Sequence, residues 1–196
     1  MLMFLLNSIR LTSNKHLHLR IMKKIAKPQP GSYPEYYEQY LKLIPADANV
    51  LDLFTTSNMD TIDLYTSVDG ETLMFRYAEG KWNMLEILQH LMDTERILSY
   101  RALRIARGDK EDNPGFDENK FAANSFAADR NMMDMVREFS ILRASTIELF
   151  KSLTDEALQQ RGMANGFVVT PAALAAIIVA HEIHHLKVID ERYLPK

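Results

Sequence analysis

Three of the chain's six histidines fall within the segment Ala180-His181-Glu182-Ile183-His184-His185, inside an apolar run from Ala172 to Ile189. Thr170 followed by Pro171 reads as a helix start. The hydroxyl can accept from a free N–H of the first turn, and proline suits the first helical position, where no N–H is needed. At about 100° per residue, Leu174, Ile177, Ile178, His181, His185, Val188 and Ile189 share one stripe. His181 and His185 therefore project, one turn apart, where a core is expected. Two imidazoles at i and i+4 can hold one metal ion between them, or each can be a core histidine satisfied by a hydrogen bond.

The rest of the composition narrows the classes. A chain of 196 residues can bury one substantial core. With 23 basic and 26 acidic residues and a net charge of -3, nothing points to nucleic acid or an anionic membrane as partner. The chain has no cysteine, which excludes disulfides and cysteine-ligated zinc; a thiol used in chemistry would have to come from solution. No uninterrupted stretch approaches the roughly 20 apolar residues of a membrane helix, and a cytoplasmic protein is expected. Met1 to Leu6 is apolar but lacks the charged start and long apolar centre of a signal peptide. Met22-Lys23-Lys24 reads as a more ordinary protein start. Residues 1–26 are thus expected to be a loosely attached N-terminal extension, and residues 27–196 a single domain.

Lys27-Pro28-Gln29-Pro30-Gly31 is a linker by composition. Tyr33 to Ile44 reads as a short helix across the bundle, and Asp47 to Val68 as the first long helix. Asp69-Gly70 is a turn, with Leu73 to Tyr77 extended or looped. The second long helix opens at Asn83, with Glu86 three residues on completing a capping box, and stops at Gly108. Gly108 to Ala128 is a long connection of the kind that often covers a site. Asp129 is read as the cap of the third helix, which ends near Ser152, and Gly162 to Phe167 leads into the last. The pattern predicts an all-α fold, a four-helix bundle with one long crossover connection between helices 2 and 3.

On the second helix, His90 lies at the edge of the apolar arc, where a boundary role is as natural as ligation. Glu95 falls inside the arc and needs a partner, because unpaired buried charge is costly. It can support a metal-bound histidine or, as preferred, pair with Arg143. Arg101 and Arg104 lie on the side of His90, as a solvated basic face or as a place for a substrate carboxylate. His181-Glu182-x-x-His185 matches the HExxH of zinc peptidases, with Glu182 as base, but only eleven residues follow and the downstream third ligand is missing. A ferritin-like di-iron site needs a second ExxH, which the chain lacks.

Several pieces together resemble the DinB-like superfamily of metal-binding four-helix bundles, the DinB/YfiT type. They are Gly80-Lys81-Trp82-x3-Glu86-x3-His90-Leu91-x-Asp93-Thr94-Glu95-Arg96, Tyr100-Arg101-Ala102-Leu103-Arg104 through Gly108-Asp109-Lys110, Pro114-Gly115-Phe116-Asp117-Glu118-Asn119, and His181-Glu182-x-His184-His185. The resemblance implies one divalent metal ion, zinc or nickel among others, held by His90, His181 and His185. Glu95, Glu182, His184, Arg101 and Arg104 are then candidates for supporting the ligands or binding substrate, with His184 at the rim. It also implies a metal-dependent enzyme, an S-transferase using an exogenous low-molecular-weight thiol or a hydrolase, acting on a small-molecule substrate. The nucleophile would be a metal-bound thiolate or water, with no protein nucleophile. A homodimer is compatible with it. The alternative from another class is a non-catalytic metal-binding stress protein.

Overall fold

In the computed structural model, which describes residues 23–194, polar side chains set where the helices begin. Asn49 accepts from Leu51 N–H to open α2 (Val50–Ser67), and Asp69 accepts from Thr72 N–H to open α3 (Gly70–Met74), following α1 (Glu38–Leu41). Asn83 and Glu86 form the expected capping box of α4 (Met84–Ala106). Asp117 caps α5 (Glu118–Ala123), Asn131 caps α6 (Met132–Ser152) and Thr154 caps α7 (Asp155–Leu158). Thr170 accepts from Ala173 N–H at the head of α8 (Pro171–Arg192), with Pro171 in the first turn as expected.

The long helices α2, α4, α6 and α8 form the bundle. α2 and α4 each pack on both α6 and α8, so α2 sits diagonally across from α4, and α6 from α8. Two apolar clusters fix the directions. Phe54, Leu98, Phe150 and Leu174 share one cluster, and Tyr65, Leu88, Phe139 and Ile189 share the other. α4 and α6 are therefore parallel neighbours, and so are α2 and α8. Joining two parallel neighbours requires a return along the bundle, which is why residues 107–131 form the long crossover.

Local differences from the sequence expectation have physical causes. Gly70–Met74 is a short helix where Asp69-Gly70 is read as a turn and Leu73 to Tyr77 as extended or looped, because Asp69 supplies a cap. The cap of α6 is Asn131, not Asp129, which ends a 3-10 turn over Ala127–Asp129. The crossover is partly helical, and the lead-in to α8 is an antiparallel hairpin, β1 (Gly162–Ala164) paired with β2 (Phe167–Val169). Its turn is Asn165-Gly166, both at positive φ (53° and 77°), the backbone that a two-residue hairpin turn demands. Gly162 is required sterically, since a Cβ there would lie 2.4 Å from Ile105. α8 averages apolar enough over its length to meet the composition of a membrane-crossing helix, although its histidines interrupt any unbroken apolar run. Within the bundle, 67% of that apolar window is buried.

Of the expected extension over residues 1–26, residues 1–22 lie outside the described residues. From Ile25 onward the chain is tied down: Ile25 is buried in the first cluster, its N–H donates to Asn49 Oδ1 at 3.0 Å, and its carbonyl accepts from Val50 N–H.

Candidate metal centre

Between the two apolar clusters lies a polar layer. Arg143 on α6 is among the most buried large side chains, sandwiched between the Phe54 and Phe139 rings at 5.0 Å from each. It donates through Nε and Nη2 to the Glu95 carboxylate at 2.8–3.1 Å and through Nη1 to Glu182 Oε2 at 2.7 Å. Ser57 and Thr61, one turn apart on α2, donate to the two oxygens of Glu182 at 2.7 and 2.6 Å. The pairing of Glu95 with Arg143 preferred from sequence is thus present. Glu182 makes the same pairing and is committed to it, which is incompatible with its acting as the base of a peptidase.

Beside this layer the three histidines converge. His90, on the first half of α4, and His181 and His185, at and just past the midpoint of the antiparallel α8, place one ring nitrogen each within 4.8 Å of the others. His181 Nε2 is 3.1 Å from both His90 Nε2 and His185 Nε2. Zinc–imidazole bonds of about 2.0–2.1 Å at tetrahedral angles would put ligand nitrogens roughly 3.3 Å apart, so the spacing fits a single ion with little adjustment. His90 is 5% exposed, far from the boundary position expected of it. The one-sided wheel fails there because α4 is covered all round: α8 and α6 on one side, α3 and α5 on others, and the Trp82 ring 4.7 Å from the imidazole.

Burial sets the electrostatics. It pushes His90 down to about 4 and His185 down to about 3, and drives His181 well below its ordinary value, with the neighbouring imidazoles adding to the fall. All three are neutral at pH 7 and can offer a lone pair. The three donors that converge are all imidazoles, a set suited to divalent transition metals such as zinc, copper, iron or nickel.

The centre opens on a groove of about 390 Å³ lined by His184, His185, Trp82, Tyr193, Glu118 and Asn119 among others. His184 is half-buried at its rim, edge-on to Tyr40 at 5.0 Å, and Tyr40 also meets His181 edge-on at 5.7 Å. Burial first, and the Glu118 carboxylate second, push the Tyr40 hydroxyl up. Arg101 and Arg104 lie elsewhere. Arg101 is buried and donates to Pro114 O, while Arg104 pairs with Asp109 and donates to Asn113 Oδ1. Both arginines hold the crossover against α4. Neither forms the solvated basic face read from sequence.

Sequence reasoning missed the aromatic flanks Trp82 and Tyr40, the groove residues Glu118 and Asn119, and the Ser57/Thr61 pair. The last had a signal: two hydroxyls at i and i+4 on the apolar face of α2, a spacing that aims both at one acceptor.

Comparisons agree with this arrangement. The sequence profile of the DinB superfamily matches residues 53–189, which contain all three histidines. A protein of Oceanobacillus iheyensis, named as a candidate metal-dependent hydrolase, is 26% identical over 141 residues, covering 69% of this chain and 77% of its own. The solved structure of YfiT from Bacillus subtilis, described as a probable metal-dependent hydrolase with an unusual four-helix bundle topology, aligns with a TM-score of 0.63. That match covers 84% of this chain and 90% of YfiT at 16% identity, a likeness of fold. With the profile spanning most of the bundle, the chain belongs to the DinB superfamily.

Proposed function

We propose that this protein is a divalent-metal enzyme whose centre is formed by His90, His181 and His185, with zinc or nickel as the ion. It activates water or a low-molecular-weight thiol against a small electrophilic substrate. The observation that carries the reading is the convergence of three neutral, largely buried imidazole nitrogens, one of which, on His185, belongs to a residue lining a groove. When bound, the ion supplies a Lewis acid with at least one position beyond the three imidazoles, able to make a water or thiol acidic near neutral pH. The chain's residues do the rest. Trp82 and Tyr40 shield the imidazoles from bulk water, which strengthens electrostatic interactions inside. His184 and Glu118 stand at the groove's rim, where a substrate proton or polar group would be met. The names of the two relatives favour water as nucleophile, and the family resemblance adds thiol.

The test is turnover of model electrophiles by protein stripped with chelator and reloaded with one equivalent of zinc or nickel. Activity should vanish on stripping and return on loading. Tight binding of the ion without turnover, in the presence or absence of thiol, would leave a metal-binding protein of the non-catalytic kind.

A further inference from the structure

Among the described residues, Glu95 and Glu182 are the two carboxylates that are fully buried, each 1% exposed. Both sit on the helices that carry the histidines: Glu182 directly follows His181, and Glu95 lies five positions beyond His90. One guanidinium, Arg143, faces them. Every hydrogen bond recorded at either carboxylate is accepted, from Arg143, Ser57 or Thr61, as ionised carboxylates require. The remaining buried cation, Arg101, is occupied with Pro114 and the crossover, eleven residues along α4 from His90. The layer is therefore left with one net negative charge deep in the bundle.

Such a charge is costly in a core unless something balances it. The side it faces is informative. A void too tight for a water molecule is lined by Glu95, Arg143 and Glu182 together with His181. Thr94 Oγ1, buried without a hydrogen-bond partner, lines the same void. No solvent intervenes to screen the layer from the imidazoles, so its field reaches them at low effective dielectric.

We infer that the Arg143–Glu95–Glu182 layer is a built-in countercharge for a divalent cation at His90, His181 and His185, raising affinity for the ion although none of the three ligates it. The inference rests on the metal-centre reading above. It makes Glu95 a positioning and charge-balancing residue rather than a catalytic one. Three neutral imidazoles bring no charge to a doubly positive ion; the layer supplies half of what neutrality needs. The arrangement also accounts for the two-to-one ratio of carboxylate to guanidinium, since a purely structural pair would be neutral.

The experiment measures zinc affinity by competition with a chromophoric chelator, and the melting temperature with and without zinc, on the full chain. Glu95→Gln keeps an acceptor for Arg143 and removes the surplus charge. It should weaken zinc binding by about 10–100-fold, the range seen when outer partners of metal ligands are altered, with the metal-free melting temperature close to wild type. Glu95→Asp keeps the charge but alters reach and packing; it should lower the metal-free melting temperature and retain most of the affinity. Wild-type affinity in Glu95→Gln, or equal loss in the Gln and Asp variants, would overturn the countercharge. If Glu95→Gln does not fold, Glu182→Gln decides by the same affinity criterion: its carboxamide oxygen can still accept from Ser57 and Arg143 while its NH2 donates to the Thr61 hydroxyl. Failure of the wild-type chain to bind zinc or nickel would instead refute the metal centre itself.

Discussion

His90 Nε2 and His181 Nε2 lie 3.1 Å apart although 91 positions separate them in the chain. The contact exists because α4 and α8 run antiparallel as the most intimately packed pair of the bundle. His185, one turn beyond His181, completes a set that no single helix could supply. A ligand set spread over two helices should fail if any member is removed. His90→Ala, His181→Ala and His185→Ala are each expected to lower affinity for zinc by at least 100-fold, roughly 3 kcal/mol or more, and His184→Ala by less than 10-fold. Calorimetric titration of purified, untagged protein with zinc checks this, with one ion per chain expected in the wild type. Equal losses at 181, 184 and 185 would move the site to the rim.

The depressed imidazoles make a prediction for the metal-free protein. In the unfolded chain His90 and His185 titrate near 6.5; folded, burial holds them at about 4 and about 3. The unfolded state therefore binds more protons below pH 6.5, and stability falls as pH falls. The contribution is fully present above pH 6.5 and is lost progressively as pH drops towards 4. At about 1.4 kcal/mol per pH unit for each group, His90 alone costs on the order of 3 kcal/mol by pH 4. Chemical denaturation of metal-free protein at pH 7, 6 and 5 should show a steady decline, shallower in His90→Leu. A flat profile would show that the imidazoles are solvated.

Arg143 offers the strongest single test of the core. Replacing it with Met keeps the packing between Phe54 and Phe139 but strips both carboxylates of their counterion. Breaking a buried ion pair in this way costs about 3–5 kcal/mol, which in a chain of this length lowers the melting temperature by roughly 10 °C. Arg143→Lys should recover only part of that loss, because a lysine cannot span Glu95, Glu182, Ser57 and Phe54 O with one fork of donors. Thermal unfolding of the three proteins decides the order. A Met variant as stable as wild type would mean that Glu95 and Glu182 take up protons or find other partners without cost.

Much of this is legible in the sequence. Thr170-Pro171 and Asn83-x-x-Glu86 marked the starts of α8 and α4, because caps are local chemistry. The crossover followed from a long segment poor in periodicity between two strong helices. Other features depended on what the tertiary fold brings near. His90 looked peripheral on a wheel that assumes one buried face, and α4 has no exposed side along its first half. Arg101 and Arg104 looked like a solvated stripe because nothing in their spacing announces that the crossover will lie on them. The hairpin is different: Asn165-Gly166 between apolar residues is a strong local signal of a two-residue turn. The groove around His184 and Glu118 joins segments 66 residues apart, and no single stretch carries it.

The final prediction concerns the nucleophile. The chain contains no cysteine, so a transferase needs its thiol from solution and should give no product until one is added. Sulfur is a good ligand for zinc and is deprotonated on coordination, so an added thiol competes with water for the position that the three imidazoles leave open. If the protein transfers thiol, the rate rises with thiol concentration and saturates. If it hydrolyses, turnover proceeds without thiol and falls as thiol takes water's place. The two outcomes have opposite signs in one assay, with zinc-loaded protein, a fixed electrophile and a small thiol varied from zero upwards. Activation is expected on the family resemblance, against the hydrolase names of the two relatives, and thiol-independent turnover that declines along the titration would establish the hydrolase instead. His184→Ala refines the result: as a rim residue outside the ligand set, its loss should change KM for the thiol or electrophile while zinc content stays at one per chain.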